Sequence, residues 1–245
     1  MNLLFVASDP MEFRGLLAHA TAVREAQSSE LKKPVMARWS RLAKLGSDEV
    51  LFVADGAGPD RAAAATDAGV KSFDAQAIIS TGFCGALSPE LGIADLVSAT
   101  SIEASDHTYM CALCDRPPSL SPARSVPHPG AIRSIPYIAQ TAEQKRNLAA
   151  NGAIAVEMEA AGIAARAESY GLPLYCIRAV TDLAGETLAN DFNKALRLDG
   201  QFDTILILKG SLLHPLVRLP ELFRLRKRCV RAAHVLGDFF AYSRI

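Results

Sequence analysis

Cysteine is scarce and unpaired in pattern. The chain of 245 residues has five, an odd number with none of the spacings of a disulfide-stapled secreted domain. That absence fits a reducing, cytoplasmic setting. Cys111 and Cys114 form a lone CxxC with His107 upstream. No second ligand pair follows at zinc spacing, and the pair does not sit between a strand and a helix in thioredoxin fashion, so no metal is expected. Net charge is also missing: 26 basic residues balance 26 acids. With no stripe of cations and aromatics, a nucleic-acid partner is disfavoured. No apolar run approaches the roughly 20 residues that span a bilayer. The opening residues carry no basic segment ahead of their apolar run, so a signal peptide is not expected. There is no internal repeat.

What remains is a composition of 50% hydrophobic and 21% charged residues, long enough for one α/β domain with a substantial core. Apolar runs at 3–7, 50–54, 77–81, 96–100 and 174–180 read as buried strands. The run at 77–81 is expected to break at Gly82. An Ala-rich stretch at 60–68, with Pro59 ahead of it, reads as a helix. So does 157–169, stopped by Gly171 and Pro173, and helix is expected again from Asp191. Residues 115–136, rich in Pro and Ser, read as a loop. Strands alternating with helices imply an α/β fold: a single domain with a mixed, largely parallel central sheet flanked by helices over residues 1–208. Residues 209–245 differ. They carry eight basic residues against two acids, with apolar residues at helical spacing. Such a basic amphipathic tail either packs on the domain or lies on an anionic membrane surface at the inner face.

Ligands in parallel sheets sit at strand ends, and three such ends here carry unusual residues. The first is Ser8-Asp9-Pro10-Met11-Glu12. The second is Ser80-Thr81-Gly82-Phe83-Cys84-Gly85. The third is Arg178-Ala179-Val180-Thr181-Asp182. To these is added Glu157-Met158-Glu159, two acids among small and apolar residues. A buried carboxylate requires donors, and the vicinal hydroxyls of a ribose are one such set.

The segments TGFCGALSPELGIADLV, AVEMEAAGIA and RAVTDLAGE resemble the purine nucleoside phosphorylase and nucleosidase superfamily, and within it the methylthioadenosine/S-adenosylhomocysteine nucleosidases. The resemblance covers residues 1–208. It implies that Glu159 binds the ribose hydroxyls, that Met158 packs under the sugar, and that Asp182 protonates purine N7. It also implies that Glu12 holds the attacking water. Gly82 and Gly85 would let backbone amides approach the nucleophile. Phe83, Cys84, Gly85, Glu157 and Arg178 would belong to the substrate-binding site with Glu159 and Met158, and Tyr137 would stack on the base; Glu157 bonded to backbone donors and Arg178 paired with a nearby carboxylate are the structural alternatives for those two. Where these enzymes carry a small residue, often Ser, this chain has Phe83. The implied reaction is hydrolysis of an adenine nucleoside without cofactor, in a homodimer or higher homo-oligomer. Two alternatives stand beside it. One is a phosphorylase using phosphate as co-substrate: TAEQKRNLAANGAIAVEMEA and the basic tail are similar to the hopanoid-associated phosphorylases, which implies adenosylhopane as substrate. The other is an inactive nucleoside-binding protein. A carboxylate at Glu12 repels phosphate, which favours water.

Overall fold

The computed structural model describes residues 1–26, 31–114 and 126–243. The chain opens with β1 (Asn2–Ala7), a 3₁₀ turn (Pro10–Phe13), α1 (Arg14–His19) and β2 (Thr21–Glu25). It continues through β3 (Trp39–Leu45), β4 (Asp48–Ala54), α2 (Pro59–Ser72), β5 (Ala77–Ala86), β6 (Leu96–Glu103) and β7 (Thr108–Met110). Then come β8 (His128–Ser134), α3 (Ala142–Leu148), β9 (Ala155–Glu157), α4 (Ala160–Tyr170) and β10 (Leu174–Asp182). Three helices close it: α5 (Phe192–Ala195), α6 (Thr204–Leu212) and α7 (Pro215–Ala241).

The result is one α/β domain built on a mixed sheet flanked by helices. β1 runs parallel to β4 and β5, and β5 parallel to β10. β10 is antiparallel to β6, β6 parallel to β8, β8 parallel to β9, and β9 antiparallel to the end of β5. Those last pairings close a ring of five strands through β5. The apolar runs of β1 and β4 are continuous because both faces are covered. Leu4, Val6, Leu51 and Val53 pack under α2, in one core cluster with Ile163 and Ala164 of α4. Leu3, Phe5, Val50 and Phe52 pack under α1 and α7. The period of two in a strand sorts the side chains between these two cores.

Several sequence expectations are corrected. β5 does not stop at Gly82: it continues to Ala86, because Gly82 adopts φ +138° and keeps its pairing with Arg178. Glu157 is the last residue of β9 rather than the first of a helix. Its carboxylate accepts from the amides of Glu159 and Ala160 at 2.9 and 2.7 Å, capping a helix that begins at Ala160. Of the expected loop at 115–136, residues 115–125 lie outside the described residues, and 128–134 form β8. In the C-terminal segment, Ala232, Leu236, Phe239 and Phe240 of α7 belong to the core beside α1. The two helices cross in backbone contact: a Cβ on Gly15 would lie 2.0 Å from the Ala233 carbonyl oxygen.

Candidate active site

The C-terminal ends of β1, β5 and β10 converge, and each delivers one group. After β1, Asp9 caps the 3₁₀ turn by accepting from the Met11 amide at 2.8 Å. The reciprocal half of that capping box brings Glu12 back over the strand end. Glu12 is buried. One carboxyl oxygen accepts from the Phe83 amide at 2.9 Å, and the other from the Ser8 amide and hydroxyl at 2.8 and 2.9 Å and the Asp9 amide at 3.1 Å. Burial raises its pKa, while the nearby Arg178 charge and these donors pull the other way. Gly82 leaves the space this carboxylate fills: a Cβ there would sit 2.4 Å from Glu12 Oε1.

At the end of β10 the register shifts between Val180 and Asp182, which sets Asp182 opposite Gly85. The missing Cβ of Gly85 makes room for it, with Asp182 Oδ2 2.8 Å from where that carbon would lie. Both glycines therefore accommodate carboxylates. Asp182 accepts from the Thr181 hydroxyl at 3.1 Å and from Lys145 Nζ at 2.5 Å. Burial raises its pKa against the pull of the Lys145 charge.

Lys145 is the functional residue that the sequence conceals. It is fully buried, and its ammonium also donates to the carbonyls of Leu183 at 2.7 Å and Glu186 at 3.3 Å. In TAEQKRNL it reads as one more solvated charge. The available signal is its phase: Ala142, Lys145, Leu148 and Ala149 share one helical stripe, turned inward.

Behind the acids, Arg178 and Glu157 form an ion pair of 2.6 Å with both side chains out of solvent. The guanidinium also donates to the Thr81 carbonyl and the Ser80 hydroxyl, at 2.7 and 2.8 Å. Glu157 is thereby occupied with helix amides and Arg178. Glu159 is not. It is 6% exposed, and the one hydrogen bond its carboxylate accepts among the described residues comes from the Gly58 amide at 3.1 Å. Burial and the adjacent Glu157 charge push its pKa to about 8, against the pull of Arg178.

A cavity of about 390 Å³ joins these groups. Glu12, Phe83, Cys84, Gly85, Tyr137, Glu157, Met158, Glu159 and Asp182 all line it, whereas Arg178 lies behind the wall. Besides these acids the lining is largely apolar, with Ile138, Leu188, Phe192, Phe202, Leu222 and Leu225. Arg226 is the one cation among the lining residues. Burial pushes the Cys84 thiol well up, so it stays protonated. Cys111 and Cys114 are elsewhere, packed against opposite core clusters.

Strand-end acids around a cavity, on a ringed mixed sheet, define the ligand-binding site of an α/β domain. The model of the phosphorylase superfamily matches residues 4–133 and 134–202, and the chain belongs to that family. A 5'-methylthioadenosine/S-adenosylhomocysteine nucleosidase of Staphylococcus saprophyticus is 29% identical over 163 residues, covering 58% of this chain and 72% of that protein. Among solved structures, the Streptococcus pneumoniae MTA/SAH nucleosidase in complex with 8-aminoadenine superposes with a TM-score of 0.69 at 18% identity, over 99% of this chain and 100% of that one. The futalosine hydrolase of Helicobacter pylori superposes at 0.66 with 16% identity, over 97% and 96%.

Proposed function

We propose that the protein is an enzyme that hydrolyses the N-glycosidic bond of an adenine nucleoside, of the methylthioadenosine or S-adenosylhomocysteine kind. The observation that carries this reading is Glu159, a buried carboxylate facing the cavity with a single donor among the described residues. Two adjacent ribose hydroxyls would complete its shell, and a group left that poorly solvated gains most from them. Two relatives that match in sequence are methylthioadenosine/S-adenosylhomocysteine nucleosidases.

In this reading a water held by Glu12 attacks C1′ and yields its proton to the carboxylate. The C1′–N9 bond breaks, its electron pair leaves with the base, and Asp182 passes a proton to N7. The products are adenine and the free sugar. Positioned acid catalysis of this kind is worth typically 10²–10⁴-fold. Burial favours the protonated form of Asp182 that the step requires. Lys145 fixes the carboxyl group and limits that rise. Water is favoured over phosphate because Glu12 presents a carboxylate to the cavity, which repels phosphate. Arg178 is held in its pair with Glu157, which leaves Arg226 of α7 as the one cation among the described lining residues. The apolar lining residues suit a thioether on the 5′ carbon. No cofactor is needed. The reading places the enzyme in the cytoplasm as a homo-oligomer, which light scattering of the purified chain tests.

The deciding experiment is base release from methylthioadenosine, S-adenosylhomocysteine and adenosine, with and without phosphate, identifying the sugar. Adenine with free sugar, indifferent to phosphate, is the expected result. A sugar 1-phosphate formed only with phosphate would replace hydrolysis by phosphorolysis. Binding without base release would leave a nucleoside-binding protein.

A further inference from the structure

The helical segment beyond the cavity presents apolar side chains to solvent in a way a core-packed terminus does not. Ile205, Leu208, Leu212, Leu213, Leu216 and Val217 are all exposed, Leu216 to 91% and Leu213 to 74%. They are contributed by α6, the turn after it and the first turn of α7. Every residue from Leu212 to Val217 is exposed. Further along α7, Leu216, Pro220, Phe223, Lys227 and Arg231 follow one another at helical spacing on one solvent-facing stripe. The stripe thus begins apolar and ends cationic.

Charge on this ridge has one sign. Between residues 204 and 231 the only acid is Glu221, which is 2% exposed. Its carboxylate accepts from the amides of Ala189 and Asn190 at 2.7 and 2.8 Å and from the Asn190 side chain at 2.7 Å. Against it stand Lys209, Arg226, Lys227 and Arg231, all exposed and none in an ion pair with a described residue. Contiguous exposed apolar surface rimmed by polar groups marks an interaction face. A second copy of the chain is a poor occupant, because a two-fold pairing of this ridge would set the same cations against each other. No helix among the described residues is long and apolar enough to cross a membrane. An apolar turn flanked by unpaired cations is instead matched by the interface of an anionic bilayer, with leucines among the acyl chains and cations at the headgroups.

We propose that the α6–α7 ridge docks this protein on an anionic membrane surface, through Leu212, Leu213, Leu216 and Val217 in the interface and Lys209, Lys227 and Arg231 at the lipid headgroups. The proposal is independent of the reaction assigned above, since none of these side chains lines the cavity.

The test is co-sedimentation of the full chain with two kinds of vesicle: phosphatidylcholine alone, and equal parts phosphatidylcholine and phosphatidylglycerol. The expected result is binding to the second only, weakened as salt rises. K227E/R231E should weaken it by at least roughly fivefold per cation removed. L213E/L216E should abolish it, with melting temperature and base release from a water-soluble nucleoside unchanged in both variants. Three results would overturn the proposal: failure of the wild-type chain to sediment with anionic vesicles, equal binding by both variants, or a change of oligomeric state in L213E/L216E, which would make the ridge an interface between copies.

Discussion

Gly82→Ala tests the nucleophile end of the site with one methyl group. The added carbon would lie 2.4 Å from Glu12 Oε1 and 2.7 Å from Arg178 Nη1, where ordinary contact begins at 3.4 Å. Arg178 is fixed by the Thr81 carbonyl, Ser80 and Glu157, so Glu12 is the group that yields, by about 1 Å. A displacement of about 1 Å at a reacting group costs on the order of 10²-fold in rate. Alanine at φ +138° also adds backbone strain of roughly 1–3 kcal/mol, equivalent to about 2–4 °C of melting temperature per kcal/mol in a chain of this size. Gly152→Ala separates the two effects: its φ is +88° with no atom within 4 Å of the new carbon, so it carries strain without the clash. Steady-state base release and thermal melts on both variants give the answer. Turnover in Gly82→Ala should fall about 100-fold, while Gly152→Ala melts lower and turns over normally. A Gly82→Ala enzyme within about threefold of wild type, or an equal loss in Gly152→Ala, would refute the placement of Glu12 at the reacting centre.

Asp182→Asn removes the proton donor; turnover should fall by 10²–10⁴-fold with nucleoside affinity by calorimetry largely retained, and near-normal turnover would end the general-acid assignment. Lys145→Met removes the charge that opposes the burial-driven rise of the Asp182 pKa. Since protonated Asp182 is the working form, the alkaline fall of kcat should move to higher pH; an unmoved profile would mean that Lys145 does not act through Asp182. Glu159→Gln should weaken ribose binding and also flatten a pH dependence of stability. The folded-state pKa of Glu159 is raised from 4.5 to about 8. The folded protein therefore holds a proton that the unfolded chain has lost across that window. Wild-type stability without ligand should decline as pH rises from 4.5 towards 8. Urea melts at pH 5, 7 and 9 should show the two proteins alike at pH 5, where Glu159 is protonated, and the wild type falling increasingly below Glu159→Gln as pH rises; a constant difference would count against the shift.

The strands buried on both faces are legible from their apolar runs: β1 and β4 follow from the unbroken LLFVA and VLFVA, and β10 from LYCIRAV, interrupted only by Arg178. β8 is not, because His128-Pro129-Gly130 carries no strand propensity and only Ile132 and Ser134 are buried. β9 is three residues long, and the next turn reads as the same helix until Glu157 is seen capping it. In the site, acids that follow strands stand out, since an unpaired buried carboxylate demands a reason. Lys145 does not, because its purpose depends on Asp182, 37 residues away. The space left by Gly82 and Gly85 is a three-dimensional fact: sequence flags the glycines and is silent on what fills their place.

The buried pair of Glu157 and Arg178 has a consequence for anyone who maps this protein by mutation in living cells. Stripping one partner leaves a naked charge in the middle of the domain, at a cost of roughly 3–5 kcal/mol. The whole domain has only about 5–15 kcal/mol in reserve. Such variants would be cleared before they could be assayed, so a survey scored by growth or product would rank Glu157 and Arg178 beside Asp182. Measured abundance would separate the two groups: the Asp182 variant accumulates as an idle enzyme, and the other two hardly accumulate at all.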